Sequence, residues 1–515
     1  MALCGGVGAL ALPSELIVHI FSFLSDRDKL RASAVCSRWR ECLFYPALWT
    51  DHKLRLVGTV NGGGSGPGET PKLEFLMRKF GSFVRELEVE FSPVEGFPSS
   101  MLGVESDGHD PQVPACLKDA MDCYLDQVLC VLRSLRNNRN LQRLSLYGAI
   151  CILQGDGIFD STHADQDHQA AKKIKEIQQL FEQVLANSRQ LKWLACAFML
   201  GMVTPRSLPA LSSISAASLE HLSLLDGQSL PPLEGQTPPP LEEEEEDVEE
   251  EDLPSTGSQT PPLPLLRPED LEKLPRLRSL VLDFCHFTAA MCQALSAEGR
   301  APLLRLSLLL GGEAGLPEDP PGEDDWRALV RTSAELRVYL MALDSRSEDL
   351  LRVLKPSLPL ERLHFDSYAA CSAGALELVS LQYHKTLAQF SLVCDNGRFP
   401  DLSDNRNEDP LVLLAWRCTR LSLLVLHGYT VWAHNLIAIS RLRGSSLKVL
   451  AVPEESIHID PDQAQLMGED PLHHLIKEVS LGLGRAWSPA LDSTLLLHDP
   501  SQHFHREAQS FSMAV

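Results

Sequence analysis

The apolar side chains of residues 12–49 recur at the three- and four-residue spacing of α-helices. In the first predicted helix, one apolar face carries Leu16, Ile17, Ile20, Phe21 and Leu24. About 40 residues in three short helices cannot bury all of these side chains internally. The pattern therefore predicts a small helical module that leaves apolar surface for a partner.

Two more helices are expected to complete this module. Asp26 or Asp28 is predicted to cap the second helix, since aspartate is a favoured N-cap residue. The third helix is predicted to end before Pro46, because a proline disfavours helix at the residue ahead of it. Leu24 and Leu30 are the apolar residues that an internal core explains best.

Beyond a glycine-rich stretch at residues 62–68, a different pattern begins, apolar-x-x-apolar-x-apolar. Its first positions are Val84, Leu141, Leu191, Leu219, Leu277, Leu303, Leu336, Leu360, Leu387, Leu421, Leu447 and Ile476. From Leu277 onward the intervals run from 24 to 34 residues, which is close to the period of leucine-rich repeats. A single match could arise by chance in a helix, but this series predicts an irregular leucine-rich-repeat-like α/β solenoid.

The third, fifth and seventh residues of each unit should face away from the core, on the inner side of the solenoid, because strand side chains alternate. The candidate substrate-binding residues are Glu86, Glu88, Glu90, Arg143, Arg305, Arg362 and His364. The same rule places apolar residues inward in later units, namely Val338, Leu340, Leu423, Val425, Val449 and Ala451. Such a strip is explained either by protein binding or by a cover formed from a loop or the C-terminal segment.

The chain is acidic, with 46 Lys plus Arg against 69 Asp plus Glu and a formal net charge of −23. A negative protein repels nucleic acid and anionic membranes, so neither is expected as a direct partner, and a basic protein is favoured. Much of the charge lies in residues 242–252, within a Pro-rich stretch at 228–268 that is predicted to be disordered. That insertion is either a solvated spacer or an arm for basic partners.

No constellation of residues indicates catalysis, a cofactor or a metal site. The 13 cysteines are scattered and include no CxxC pair, which disfavours a disulfide framework or structural zinc. The N-terminus lacks the basic region of a signal peptide, and the apolar run Trp193–Val203 is too short to span a bilayer. We expect a soluble protein of the cytoplasm, the nucleus or both, which is not secreted.

The helical module resembles the F-box. The resemblance runs without gaps from residue 12 to residue 49 and is carried by Leu12-Pro13, Glu15-Leu16, Ile20-Phe21, Leu24, Val35-Cys36, Trp39 and Leu48-Trp49. It implies docking on a Skp-type adaptor and, through it, on cullin and RING subunits of a ubiquitin ligase. It also implies an adaptor interface, with its supporting core, that contains Leu12, Pro13, Leu16, Ile20, Phe21, Val35 and Trp39.

The predicted organisation is a three-helix F-box followed by the repeat array. The predicted ranges are an F-box domain at 10–56, a flexible linker at 57–72, a first array part at 73–227, the insertion at 228–268, a second array part at 269–490 and a tail at 491–515. The predicted function is that of a non-catalytic substrate receptor of a Skp–cullin–F-box (SCF) ligase, promoting ubiquitination and proteasomal degradation of a basic client. The alternative is a non-degradative scaffold that binds the adaptor without delivering substrates.

Overall fold

A computed structural model describes most of the predicted F-box and array. The described residues are 12–57, 77–92, 115–148, 168–199, 201–225, 266–311, 316–367, 369–394, 397–403, 408–460, 470–490 and 500–514. Residues 58–72 of the predicted linker and residues 228–265 of the predicted insertion lie outside them. The predictions made for those two segments therefore stay predictions.

Three short helices open the described chain, as predicted: α1 (Ser14–Ser22), α2 (Asp26–Ser33) and α3 (Ser37–Cys42). The predicted cap of α2 is wrong. The helix already begins at Asp26, so the cap is Ser25, whose hydroxyl accepts from the backbone N–H of Asp28 at 3.2 Å. The Asp28 carboxylate accepts a hydrogen bond from the same hydroxyl at 2.6 Å, so serine and aspartate fix the helix start together.

Within the described residues, twelve strands form one parallel sheet whose order follows the chain. They are β1 (Asp51–Val57), β2 (Glu86–Ser92), β3 (Arg143–Gly148), β4 (Trp193–Ala197), β5 (His221–Leu225), β6 (Ser279–Asp283), β7 (Arg305–Gly311), β8 (Arg337–Leu343), β9 (Leu360–Asp366), β10 (Gln389–Val393), β11 (Leu423–His427) and β13 (Val449–Ala451). A separate parallel pair is formed by β12 (Val431–Trp432) and β14 (Ile457–His458). Each strand of the large sheet pairs with the next one in the sequence, except that β11 skips β12 and pairs with β13, so the predicted α/β solenoid is confirmed.

Helices lie between these strands along the chain. They are α4 (Ala115–Leu135), α5 (His168–Asn187), α6 (Ser213–Ser218), α7 (Pro268–Glu272), α8 (Ala289–Leu295), α9 (Glu323–Thr332), α10 (Ser347–Val353), α11 (Ala373–Gln382), α12 (Pro410–Arg417), α13 (Ala433–Arg443) and α14 (Pro471–Leu483). Their apolar side chains and those of one sheet face form a continuous main core, which includes Leu144 and Leu146 of β3 and Phe181 of α5. The opposite face of the sheet is its inner face.

The first residue of each predicted repeat unit is buried and leads directly into a strand, with one exception. Ile476 lies inside α14, so that unit was predicted wrongly. The pattern apolar-x-x-apolar-x-apolar also fits a helix, where Ile476 and Val479 are one turn apart. The first strand, β1, has no such pattern and was not predicted.

Alternation along the strands produces the predicted inner face in most units. In β3, for example, Ser145 and Tyr147 point away from the main core. The prediction is wrong for Val338 and Leu340, which belong to the main core, while Tyr339 and Met341 of the same strand face inward. The faces of β8 continue those of β7 in unbroken register, with Val338 paired to Leu306 and Leu340 to Leu308. The unit was misread because Leu336 lies two residues before its first main-core strand position, whereas Leu303 lies three residues before Leu306.

The F-box helices are joined to the array by a stacked aromatic pair. The rings of Trp49 and Phe80 are parallel with centroids 4.0 Å apart, and the Trp49 indole N–H donates to the carbonyl of Leu43 at 2.6 Å. Directly after this pair, the carbonyl of Thr50 accepts from the backbone N–H groups of Arg85 and Glu86, at the start of β2. The three helices are thus continuous with the first strands of the sheet.

Replacing Phe80 by alanine should destabilise this junction. We expect a loss of about 3–5 kcal/mol, because the buried ring leaves a cavity beneath Trp49. Hydrogen exchange measures this loss of stability, because the amide hydrogens of α1–α3 exchange faster when these helices unfold more often. Phe83→Ala is the matched control, since that nearby ring is exposed. Equal exchange rates in the two variants would contradict a stabilising role of the Trp49–Phe80 pair at this junction.

Candidate functional site

An exposed apolar stripe lies on α1. Leu16, Ile20 and Phe23 follow one another at the i, i+4, i+7 spacing of a helix face, and their exposed fractions are 49%, 46% and 77%. Val35, between α2 and α3, is 67% exposed. We call these four residues the docking face. Large apolar side chains grouped in this way on a small module are typical of a protein-binding surface.

A compact core supports the docking face from below. Ile17 and Phe21 occupy the opposite side of α1 and are fully buried, and the edge of Trp39 meets the Phe21 ring at 5.5 Å between centroids. Leu24 and Leu30 pack partly buried against this core. Helix α1 therefore has apolar residues on two sides. One side packs into the core of the module, and the other is exposed.

The predicted adaptor-binding residues divide between these two sides. Leu16, Ile20 and Val35 are on the docking face and Pro13 is exposed, whereas Leu12 and Trp39 are half-buried and Phe21 lies wholly in the core. Phe23 was missed, although its i+7 spacing from Leu16 could have indicated it. Its ring is held edge-on against His19, with 5.0 Å between centroids.

Comparison with known proteins identifies the module. The F-box-like family model matches residues 9–55. Human F-box only protein 33 is 51% identical to this chain over 531 residues, which cover 99% of this chain and 89% of the human protein. The mouse protein of the same name is 50% identical over 536 residues, with the same two shares. This chain belongs to the F-box proteins.

Other likenesses to this F-box protein are more distant. Human F-box/LRR-repeat protein 8 is 29% identical over 195 residues, which cover 36% of this chain and 48% of that protein. A crystal structure of a Rad7 and Elc1 complex in yeast covers 74% of this chain and 89% of its own, with 14% identity and a TM-score of 0.28. Among the residues that the structure describes, no helix is both long and apolar enough to cross a bilayer.

The inner face of the array is occupied by a helix of the chain itself. This helix, α15 (Pro500–Met513), lies in the predicted tail. Its buried residues Phe504, Ala508 and Phe511 share one stripe and pack into an apolar cluster on the inner face. We call this the inner cluster, and its strand residues are Tyr147, Ala197, Leu225, Val281, Leu309, Tyr339 and Met341. It contains none of the residues of the main core.

The same helix contacts most of the predicted substrate-binding residues. Glu90 accepts hydrogen bonds from the guanidinium of Arg506 at 2.8 and 3.1 Å, and Arg362 donates to the carboxylate of Glu507 at 2.9 Å. Arg143 donates to the Gln509 amide oxygen at 3.1 Å, and Arg305 donates to the Ala514 carbonyl at 3.0 Å. The His364 and His503 rings lie 5.5 Å apart between centroids. Glu86 is exposed and Glu88 is half-buried. The predicted substrate-binding residues thus share one surface, and α15 covers most of them.

These contacts show how the array is arranged around α15. Arg506 and Glu507 are neighbours in the helix, yet one pairs with Glu90 on β2 and the other with Arg362 on β9. Seven strand-to-strand steps separate β2 from β9 in the sheet. The sheet therefore curves around the helix, and the space between β2 and β9 on its inner side is about as wide as one helix.

Two histidines of α15 are held neutral by this site. Burial lowers the pKa of His503 and that of His505 from 6.5 to about 4. For His505, burial outweighs the opposing attraction of Glu90, and its ring stacks on Tyr147. The charged and titratable groups that face the two rings are His221, His364, Asp366, Glu90, Arg143 and Arg506.

Docking of α15 should therefore weaken in acid. A released histidine binds a proton near pH 6.5 and a docked one only near pH 4, so docking is at full strength above about pH 6.5 and is lost as pH falls towards 4. Hydrogen-exchange protection factors for the α15 amides, corrected for intrinsic rates, should be smaller at pH 5 than at pH 7.5. The variant His505→Gln should reduce this difference, and equal wild-type protection at both pH values would contradict the account.

The chemistry of the buried thiols does not suit catalysis. Burial raises the pKa values of Cys285, Cys371 and Cys418 to about 12, whereas a nucleophilic cysteine needs a lowered pKa. Within the described ranges, no group of three or more His, Cys, Asp or Glu side chains is placed to hold a metal ion.

Proposed function

We propose that this chain is the substrate-recognition subunit of an SCF ubiquitin ligase. Its F-box binds a Skp-type adaptor, which links it to the cullin and RING subunits, and its array binds a client protein. The chain contributes no catalytic group of its own. It promotes ubiquitination and proteasomal degradation of the client in the cytoplasm, the nucleus or both.

The docking face is the observation that carries this proposal. Leu16, Ile20 and Phe23 are exposed on a helix whose other side is completely packed, so their exposure does not come from loose packing. Burying side chains of this size against a partner stabilises a complex by about 1.5–3 kcal/mol each. An apolar stripe of this kind, on a module of the F-box family, supports adaptor binding.

The junction between F-box and array supports delivery of a client. A receptor accelerates ubiquitin transfer by holding the client close to the conjugating enzyme, which raises the effective concentration of its lysines. A rigid connection serves this better than a freely moving one, since fewer orientations are unproductive. The stacked Trp49–Phe80 pair provides that connection here.

The proposed client is basic. Glu86, Glu88 and Glu90 alternate on one edge of the inner face, at the start of the described sheet. The carboxylate of Glu90 already binds a guanidinium, that of Arg506, which illustrates the kind of group this edge accepts. Client binding should consequently weaken as salt is raised.

Co-purification tests the proposal. The full chain, purified from cells, should bring with it the adaptor, the cullin and the RING subunit, and an F-box variant without adaptor binding should lose all three. A client should accumulate in cells that lack the chain. Absence of adaptor and cullin from the wild-type preparation would refute the proposed function.

The second candidate is a scaffold that binds the adaptor without delivering substrates. One observation favours it: α15 fills the inner face where a client would bind. A scaffold should retain the adaptor, yet no protein should accumulate when the chain is lost. If a protein accumulates when the chain is lost, and an intact docking face is needed to prevent this, the result would favour the substrate receptor over the scaffold.

A further inference from the structure

We propose that the inner face of the array is a helix-binding groove, that α15 is its intramolecular occupant, and that the client binds by replacing α15 with an amphipathic helix of its own. This inference rests on the proposed function, because it describes how the same receptor would take its client. It makes α15 both a stand-in for the client and an inhibitory element.

The array does not need α15 for its own core. The main core lies between the sheet and helices α4–α14, and the side chains of α15 belong only to the inner cluster. Leu306 and Leu308 of β7 point into the main core, whereas Leu309 of the same strand meets α15. Removal of the helix would therefore uncover one sheet face without opening the other.

The fit between α15 and the groove leaves polar atoms unsatisfied. Among the described residues, buried atoms without a hydrogen-bond partner include both ring nitrogens of His221, Ser307 Oγ, the Nε atoms of Arg305 and Arg362, His364 Nε2 and His505 Nδ1. Native proteins leave few such groups, because each one weakens the packing that buries it. A client helix that supplied acceptors and donors at these points would make hydrogen bonds that α15 does not make.

The contacts of α15 define the chemistry of that client helix. It presents aromatic side chains seven residues apart, as Phe504 and Phe511 do, with a small residue between them at the position of Ala508. A basic residue two positions after the first aromatic residue pairs with Glu90, as Arg506 does. An acidic residue three positions after it pairs with Arg362, as Glu507 does. The groove thus selects an amphipathic helix with one basic and one acidic flank.

Undocking α15 in the full chain tests this proposal. Ala508 is buried at the centre of the helix and has no room for a carboxylate, so Ala508→Glu should release α15, whereas Ser510→Glu, at an exposed position, should not. The probe is a fluorescent synthetic peptide with the sequence of residues 500–514. Fluorescence anisotropy should give at least tenfold tighter peptide binding to the Ala508→Glu chain than to the wild type, because the tethered helix competes at a high effective concentration. The Ser510→Glu chain should behave as the wild type does.

Three further readouts make the outcome decisive. Hydrogen exchange must show that the α15 amides of the Ala508→Glu chain are exposed while those of the main-core strands stay protected. If the main core opens as well, the array depends on α15 and the proposal fails. If α15 is exposed but the peptide does not bind, or binds the wild type equally, the proposal also fails. Adaptor binding, measured on the same variants, should be unchanged, and its absence would refute the proposed function and not the groove.

Discussion

The substitution Ile20→Asp should weaken binding of a purified Skp-type adaptor at least 100-fold, as measured by titration calorimetry. A partner that buries Ile20 loses the stabilisation of an apolar side chain, and the new carboxylate is desolvated without a partner. At about 1.4 kcal/mol for each tenfold change, that loss corresponds to about 2.8 kcal/mol. The fold should be unaffected, since the Ile20 side chain is exposed in the free chain.

Leu481→Asp is the matched control for this prediction. Leu481 is 74% exposed on α14, beside the last strands of the array. It undergoes the same kind of change, from a large aliphatic side chain to a carboxylate, at a position outside the docking face. Adaptor binding by this variant should equal that of the wild type. If both variants lost affinity together, a general effect of charge or folding would explain the result, and the docking face would lose its assigned role.

The substitution Phe504→Ala should release α15 from the inner face. Phe504 is fully buried against Tyr339, with 5.2 Å between ring centroids, and a buried phenylalanine contributes about 3–5 kcal/mol. A loss of that size is sufficient to undock a helix held by one apolar stripe and a few polar contacts. Protection of the α15 amides against hydrogen exchange should fall at least 100-fold.

Ser510→Ala removes an exposed side chain from the same helix and should leave this protection within about twofold of the wild type, since surface substitutions are usually small in effect. The strands of the main core should stay protected in both variants, because α15 contributes nothing to that core. Global unfolding of the Phe504→Ala chain would show instead that the inner cluster is essential to the array.

The array could be predicted from sequence because each unit repeats the same physical requirement. The first residue of a unit, such as Leu277 or Leu303, is buried just before a strand, and the two following apolar positions enter the main core. At each of the two places where the prediction was wrong, a local feature was responsible. A helix gives the same spacing at Ile476, and Leu336 lies two residues before the first main-core position of its strand, Val338, where three is the usual spacing.

The docking face was predicted only in part. Sequence spacing places Ile20 and Phe21 on one broad apolar face, and three-dimensional packing divides them, one exposed and one fully buried. A double substitution of Phe21 and Trp39 would therefore test the stability of the F-box together with adaptor binding. Phe23, which is more exposed than either, was overlooked although it lies within the predicted helix, seven residues after Leu16.

Helix α15 could not be predicted from the repeat pattern. Its contacts with β3 join residues more than 350 positions apart, as in the bond from Arg143 to Gln509. Its own sequence is largely polar, and only the stripe of Phe504, Ala508 and Phe511 enters the inner cluster. Such an occupant is specified by the curvature of the whole array, which no single unit encodes.

Reconstitution from purified components tests the central claim most directly. The full chain is mixed with a Skp-type adaptor, a cullin and a RING subunit and analysed by size-exclusion chromatography with light scattering. We expect one complex with a single copy of each component, which is lost with Ile20→Asp but not with Leu481→Asp. Failure of the wild-type chain to enter the complex, or equal entry of the Ile20→Asp chain, would contradict it.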